Sequence, residues 1–168
     1  FFKNGTAYFA EKDLSIFTIN SERYCFNERG EMQTGLQSLK QADGSFASYY
    51  FGDDGVMRTG KQTIYNDDLE ENQIWYFQTK GSLKGQGYHG ERDNQVYVNG
   101  LLKKADPELR YEPVSTGEKR YLVNTSGTIQ KATSSSSSAS RPELGKGFKD
   151  IKDSNDTVWT VDTSGIIQ

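Results

Sequence analysis

The side chains with most chemistry to offer a ligand are Tyr50, Tyr76 and Tyr88, together with His89 and Lys61. A flat phenol ring presents an apolar face to sugar C–H groups and a hydroxyl for a hydrogen bond. Lys61, Gln62 and Arg58 add polar contacts at one end of this set, although charged groups on such surfaces are ordinarily just solvated. The competing reading is that the tyrosines pack against neighbouring elements and are structural. Catalytic constellations are hard to assemble. His89 is the only histidine, which removes a multi-histidine metal site and leaves little basis for a Ser-His-Asp triad. The acidic pairs Asp53-Asp54, Asp67-Asp68 and Glu70-Glu71 fall in turn-like segments, where solvated carboxylates are the default rather than a converging hydrolytic pair. Asp150, Asp153 and Asp156 lack the Gly and bidentate Glu of a calcium loop, so a weak cation site is the most they offer. Gly85-Gln86-Gly87-Tyr88-His89-Gly90 matches a dinucleotide fingerprint by letter, but no helix-forming segment follows to present its N-terminus. Asn-x-Ser/Thr occurs at Asn4, Asn124 and Asn155, two of them in turns that favour Asn anyway. The expectation is a protein that is not an enzyme and uses no cofactor or metal.

What positions the tyrosines is a repeated phrase. Tyr24-Cys25-Phe26-Asn27-Glu28-Arg29-Gly30-Glu31-Met32-Gln33-Thr34-Gly35 returns as Tyr49-Tyr50-Phe51-Gly52-Asp53-Asp54-Gly55-Val56-Met57-Arg58-Thr59-Gly60. Gly30 and Gly55 are 25 positions apart, and Trp75-Tyr76-Phe77-Gln78-Thr79-Lys80-Gly81-Ser82-Leu83 places a third glycine, Gly81, a further 26 along. A fixed period in this range marks a repeat array. Six places before the glycine stand Tyr24, Tyr49, Trp75, Tyr121 and Trp159, and four before it Phe26, Phe51, Phe77, Val123 and Val161. Two after it stand Met32, Met57, Leu83, Ile129 and Ile167. On a strand the first two positions share a face, and the third belongs opposite them on a returning strand. Each unit therefore reads as a β-hairpin whose Asn, Asp, Ser and Gly turn closes on a positive-φ residue. By the same alternation the outer face would carry Cys25, Tyr50, Tyr76, Leu122 and Thr160, with Arg23, Ser48, Ile74, Arg120 and Val158 beside them.

Val96-Tyr97-Val98-Asn99-Gly100-Leu101-Leu102 is a shorter hairpin with an Asn-Gly turn. Residues 120–130 and 158–168 form a subtype, the second largely reproducing the first with six of eleven positions the same. The expected organisation is a repeat array over 1–103, a divergent repeat over 104–132, a serine-rich flexible insertion over 133–140 and a terminal repeat over 141–168. An isolated hairpin is marginal in water, so each must bury itself against its neighbours. The fold class is thus all-β, a β-solenoid of about six stacked hairpin units with a period near 25 residues.

Composition agrees. Only 33% of residues are apolar while 12% are aromatic, with 17 glycines, too few aliphatics for a large enclosed core. A net charge of −3 and the lack of a basic stripe argue against nucleic acid. No run of 18 apolar residues exists to span a membrane as a helix. A single cysteine, Cys25, cannot form an internal disulfide and reads as a substitution within the repeat. The opening residues 1–9 resemble half a repeat, which suggests a portion of a longer protein.

The phrase Tyr-Tyr-Phe-x-x-x-Gly-x-Met-x-Thr-Gly resembles the cell-wall-binding repeats of Gram-positive bacteria. That family includes choline-binding modules, glucan-binding repeats and the receptor-binding repeats of clostridial toxins. The resemblance covers 23–35, 48–60 and 74–85 closely, and 94–103, 119–130 and 157–168 more loosely. It implies a secreted, cell-surface module that holds its parent protein on a carbohydrate polymer. Choline-binding members carry Trp seven places before the turn glycine and again just after the Thr-Gly. Here Arg23, Ser48 and Ile74 occupy the first position and Leu36 and Lys61 the second, which weakens a choline cage. The leading expectation is non-catalytic attachment to cell-wall polysaccharide or teichoic acid, or to α-glucan, through shallow aromatic sites between hairpins. The alternative is a structural stalk or protein-interaction solenoid without a glycan site. Strand edges at the ends of such a stack also offer a route to a homodimer.

Overall fold

The structure is a computed structural model that describes residues 2–3, 6–10 and 12–168, with side chains from residue 7 onward. Asn4 and part of the expected opening half-repeat lie outside the described residues. The chain is all-β and built of several small antiparallel sheets. Among the described residues its helical structure is a single 3-10 turn, Pro142–Leu144. Among the described residues no helix is long and apolar enough to cross a membrane. Two compact units divide it, one of residues 1–88 and 99–101, the other of 89–98 and 102–168.

In the first unit a short pair, β1 (Phe2–Lys3) and β2 (Thr6–Ala7), precedes two three-stranded sheets. The first comprises β3 (Leu14–Ile19), β4 (Glu22–Asn27) and β5 (Met32–Gln33). The second repeats it as β6 (Gly35–Lys40), β7 (Phe46–Phe51) and β8 (Met57–Arg58). A longer ribbon follows, β9 (Gly60–Asn66) against β10 (Glu71–Phe77). The predicted cross-strand pairs form, Phe26 opposite Met32 and Phe51 opposite Met57. The turns close alike, with Gly30 N–H donating to Asn27 O at 3.1 Å and Gly55 N–H to Gly52 O at 2.8 Å. Where Asn27 leads the turn, its Oδ1 accepts from Arg29 N and Glu31 N. Where Gly52 leads, the Arg58 guanidinium fills the missing side chain's place and donates to Asp54 Oδ1 and Val56 O, each at 3.0 Å.

The third copy departs from its expected alignment. Gly85, not Gly81, is the turn glycine, since its N–H donates to Gln78 O at 2.7 Å as the others do. Phe77 therefore faces Gly87, and Leu83 lies in an inserted loop with half its surface (51%) in water. The positive-φ glycines have a second job that explains this choice. A Cβ on Gly55 would collide with the Met32 thioether, and one on Gly85 with that of Met57. Each turn thus receives the returning-strand aliphatic of the preceding repeat, whereas Gly81 has nothing within 4 Å.

The expected outer face is also corrected. Cys25, Leu122 and Thr160 are buried, with Cys25 and Leu122 at 0% exposure. Cys25 packs with Leu39, Phe51 and Met57 while Phe26 on the opposite face meets Tyr8 and Phe17, so β4 is covered on both sides. Burial pushes the Cys25 thiol up to about 11.

The second unit begins with the hairpin β11 (Gly90–Arg92) and β12 (Gln95–Val98). β13 (Leu101–Leu102) supplies Leu101 to the first unit, opposite Trp75, and Leu102 to the second. β14 (Tyr111–Ser115) pairs with β15 (Arg120–Asn124), and β16 (Lys149–Lys152) with β17 (Val158–Val161). One core gathers Val96, Val114, Tyr121, Val123 and Ile129, and another Leu122, Ile151 and Val161. Val123 faces Ile129 and Val161 faces Ile167, as the repeat predicts. Within the serine stretch 133–140, Ser138 and Ser140 gather around a carboxylate. Ser138 is 2% exposed, and its hydroxyl donates to Asp150 Oδ1. Ser140 N–H reaches Asp150 Oδ2 at 2.8 Å and Thr160 Oγ1 reaches Oδ1 at 3.0 Å. Composition conceals this because the organising acid lies ten or more positions downstream.

Candidate functional site

Three of the five predicted residues meet in the first unit. Lys61 lies directly opposite Tyr76 across β9 and β10, so both side chains stand on the same face. The Tyr76 and Tyr88 rings meet edge to face, centroids 6.0 Å apart and planes at 87°. A cycle of backbone bonds holds them there. Tyr88 N–H donates to Tyr76 O at 2.9 Å, Tyr76 N–H to Gly100 O at 2.8 Å, and Gly100 N–H to Tyr88 O at 2.8 Å. Gly87 N–H adds a bond to Ser48 O at 2.7 Å. The result is a preorganised aromatic corner, its two rings half-buried and its ammonium exposed. It offers a shallow surface to a ligand with both C–H faces and hydroxyls.

Tyr50 is not part of this corner. Its ring stacks on Phe77 at 6.1 Å and 18°, and Phe77 stacks in turn on Trp75 at 6.0 Å and 2°. Tyr50 is partly buried in this stack. His89 belongs to the second unit, where its Nε2 lies 2.7 Å from Thr116 O. A carbonyl only accepts, so Nε2 carries the proton. There His89 lines an open cleft of about 480 Å³ with Glu91, Thr116, Glu118, Lys119 and Tyr121.

The remaining motifs resolve into local roles. Gly85 and Gly87 of the apparent fingerprint are the turn glycine and the residue facing Phe77. Asp54 accepts from Val56 N–H and Arg58, which hold its carboxyl below the usual range. Asp150 binds the serines and Asp153 accepts from Trp159 Nε1 at 3.1 Å, while Asp156 pairs with Lys152 at 3.6 Å. Among the described residues no three His, Cys, Asp or Glu side chains converge to hold a metal ion. Sequence reasoning passed over Tyr65, 56% exposed on the same face as Lys61. Its signal was present in the alternation Lys61, Thr63, Tyr65, but Tyr65 is not one of the repeated positions.

Fold and site together define an all-β repeat protein of small antiparallel sheets with a half-buried aromatic corner beside an exposed lysine. No family model matches the chain. A stretch of 106 residues, 63% of the chain, is 26% identical to the large tegument protein deneddylase of murid herpesvirus 1 (strain K181), of which it spans 5%. Among solved structures, choline binding protein F from Streptococcus pneumoniae is 20% identical over 94% of this chain and 40% of its own, with a TM-score of 0.47. Alternansucrase in complex with isomaltononaose is 15% identical over 93% of this chain and 10% of its own, at 0.44. CbpJ from the same streptococcus (TIGR4) is 16% identical over 100% of this chain and 57% of its own, at 0.38. The chain spans less than two thirds of each of these proteins.

Proposed function

We propose that this chain is a non-catalytic binding module that attaches a secreted Gram-positive protein to a surface carbohydrate. In this reading the hairpins of each unit follow one another as turns of a β-solenoid, with Gly55, Gly85, Gly127 and Gly165 each lying against an aliphatic residue of the repeat before. The observation that carries the proposal is the Tyr76–Tyr88 edge-to-face pair beside the exposed Lys61, its rings partly buried and locked by backbone bonds. One shallow corner binds weakly, and an array gains avidity by repetition. A choline-type ligand fits less well. A quaternary ammonium needs several converging ring faces, whereas here two rings meet at right angles and Lys61 brings a like charge to the same corner.

A second reading, a structural stalk, is favoured by one observation: the Tyr50–Phe77–Trp75 stack spends three repeat aromatics on packing. The discriminating experiment is co-sedimentation with purified Gram-positive cell walls, before and after teichoic-acid extraction, with free choline or α-glucan as competitor. Retention that Tyr76→Ala and Tyr88→Ala each weaken supports the binding module. Absence of retention on walls and on α-glucan leaves the stalk.

A further inference from the structure

The exposed face of the β9–β10 ribbon extends well beyond the aromatic corner. Its register places Lys61 with Tyr76, Thr63 with Ile74 and Tyr65 with Asn72, all on one side. Lys61, Thr63, Tyr65 and Asn72 are exposed, whereas the opposite side carries Trp75 and the fully buried Phe77. Tyr65 is 56% exposed, a large ring set mostly in water. Tyr65 lies four positions along the strand from the Lys61–Tyr76 rung, about 14 Å at a strand's rise per residue. No single sugar ring covers that span.

We propose that this face is a continuous track for the interior of a linear, uncharged polysaccharide, with Tyr76 and Tyr88 gripping one end and Tyr65 the other. The inference rests on the binding-module reading and specifies its ligand class. Between the rings the track offers the Thr63 hydroxyl, the Ile74 methyls and the Asn72 amide, which suit the alternation of hydroxyls and C–H faces along a sugar chain. Charge selects the occupant. Asp67, Asp68, Glu70 and Glu71 form the exposed hairpin end just past Tyr65, where a phosphate- or uronate-bearing polymer leaving the track would meet four carboxylates. Lys61, at the other end, is a single countercharge.

The preceding ribbon repeats the pattern. Leu36 pairs with Tyr50, Ser38 with Ser48 and Lys40 with Phe46 on one face, again a ring, then hydroxyls, then an outer ring. Phe46 is 58% exposed, matching Tyr65. In that hairpin the inner ring, Tyr50, is committed to Phe77, so the β9–β10 track is the one with both ends open.

The test measures retention of the wild-type chain, Tyr65→Ala and Tyr76→Ala on dextran beads and on walls stripped of teichoic acid. The track predicts retention on an uncharged matrix that is insensitive to salt. Tyr65→Ala and Tyr76→Ala should each weaken it about tenfold. Oligosaccharides longer than the track should compete where the monosaccharide does not. Because Tyr65 is mostly in water, Tyr65→Ala should leave the melting temperature unchanged, which separates ligand loss from unfolding. Retention lost only in Tyr76→Ala would overturn the track and leave a one-corner binding module standing. Retention that vanishes with teichoic acid would overturn the uncharged ligand. A wild-type chain retained on neither matrix would remove both the track and the module.

Discussion

Trp75 and Trp159 occupy the same repeat position, yet their indole N–H groups meet different fates. Trp159 Nε1 donates to Asp153 Oδ2 at 3.1 Å, and the Arg120 guanidinium lies 5.9 Å from its ring centre. Trp75 Nε1 is buried and, among the described residues, has no hydrogen-bond partner. Losing a donor that serves a carboxylate leaves that carboxylate under-bonded, whereas losing an unsatisfied donor removes a standing penalty. Trp159→Phe should therefore cost more than Trp75→Phe in urea denaturation, although both make the same change of side chain. Equal costs would mean that the Trp159–Asp153 bond contributes nothing. Cys25 makes a complementary probe, because burial raises its pKa to about 11 and seals it from reagent. Its alkylation by iodoacetamide should track global unfolding; rapid labelling of the folded chain would contradict the packed β4 face.

Among the repeat elements, the turn glycine is where conformation and packing meet. Gly81 and Gly85 both have positive φ, +82° and +87°, but only Gly85 lies against a side chain, that of Met57. Gly81→Ala should cost about 1 kcal/mol, the backbone strain alone. Gly85→Ala should cost at least about 2 kcal/mol, because the new methyl also displaces the thioether. In a Met57→Ala background the Gly85 penalty should fall back towards that of Gly81, a coupling that a double-mutant cycle reads directly. The same site shows what the sequence does and does not reveal. The Phe26–Met32 and Phe51–Met57 pairs are legible because a fixed turn length ties strand to strand at period two. The third turn is not, since two glycines four positions apart satisfy the same pattern and only the packing of Met57 chooses between them. Face assignment failed for a related reason: β4 is covered on both sides, so alternation has no polar side to mark. Lys61, Tyr76 and Tyr88 could be read as a group, but the Tyr50 stack and the separate role of His89 depend on contacts that repetition does not encode.

Across the whole molecule, carboxylates organise turns and connections that the thin hairpin cores do not hold by themselves, and this makes stability depend on acid. Asp150 shows it most clearly. Desolvation, the largest influence, pushes its carboxyl up, but hydrogen bonds from Ser138, Ser140 and Thr160 together outweigh it and bring the pKa to about 2. Burial also opposes ionisation at Asp153, and bonds from Trp159, Thr157 and Asn155 again prevail. Asp43 and Asp54 are lowered mainly by hydrogen bonds from Ser45 and from Val56 and Arg58. In each case folding favours the charged form, so the folded pKa lies below the ordinary value of 3.8. Groups of this kind stabilise fully above the unfolded pKa and lose that contribution as pH falls through the folded one. The urea midpoint should therefore be level above about pH 5 and decline between about pH 4 and 2. Asp150→Asn should lower the neutral-pH midpoint, because an amide cannot accept the same charge-assisted bonds, and should flatten part of the acid slope. A wild-type midpoint unchanged down to about pH 2, or an Asp150→Asn slope identical to wild type, would place the stability elsewhere. It would also favour the flexible connection that the composition of the serine segment suggests.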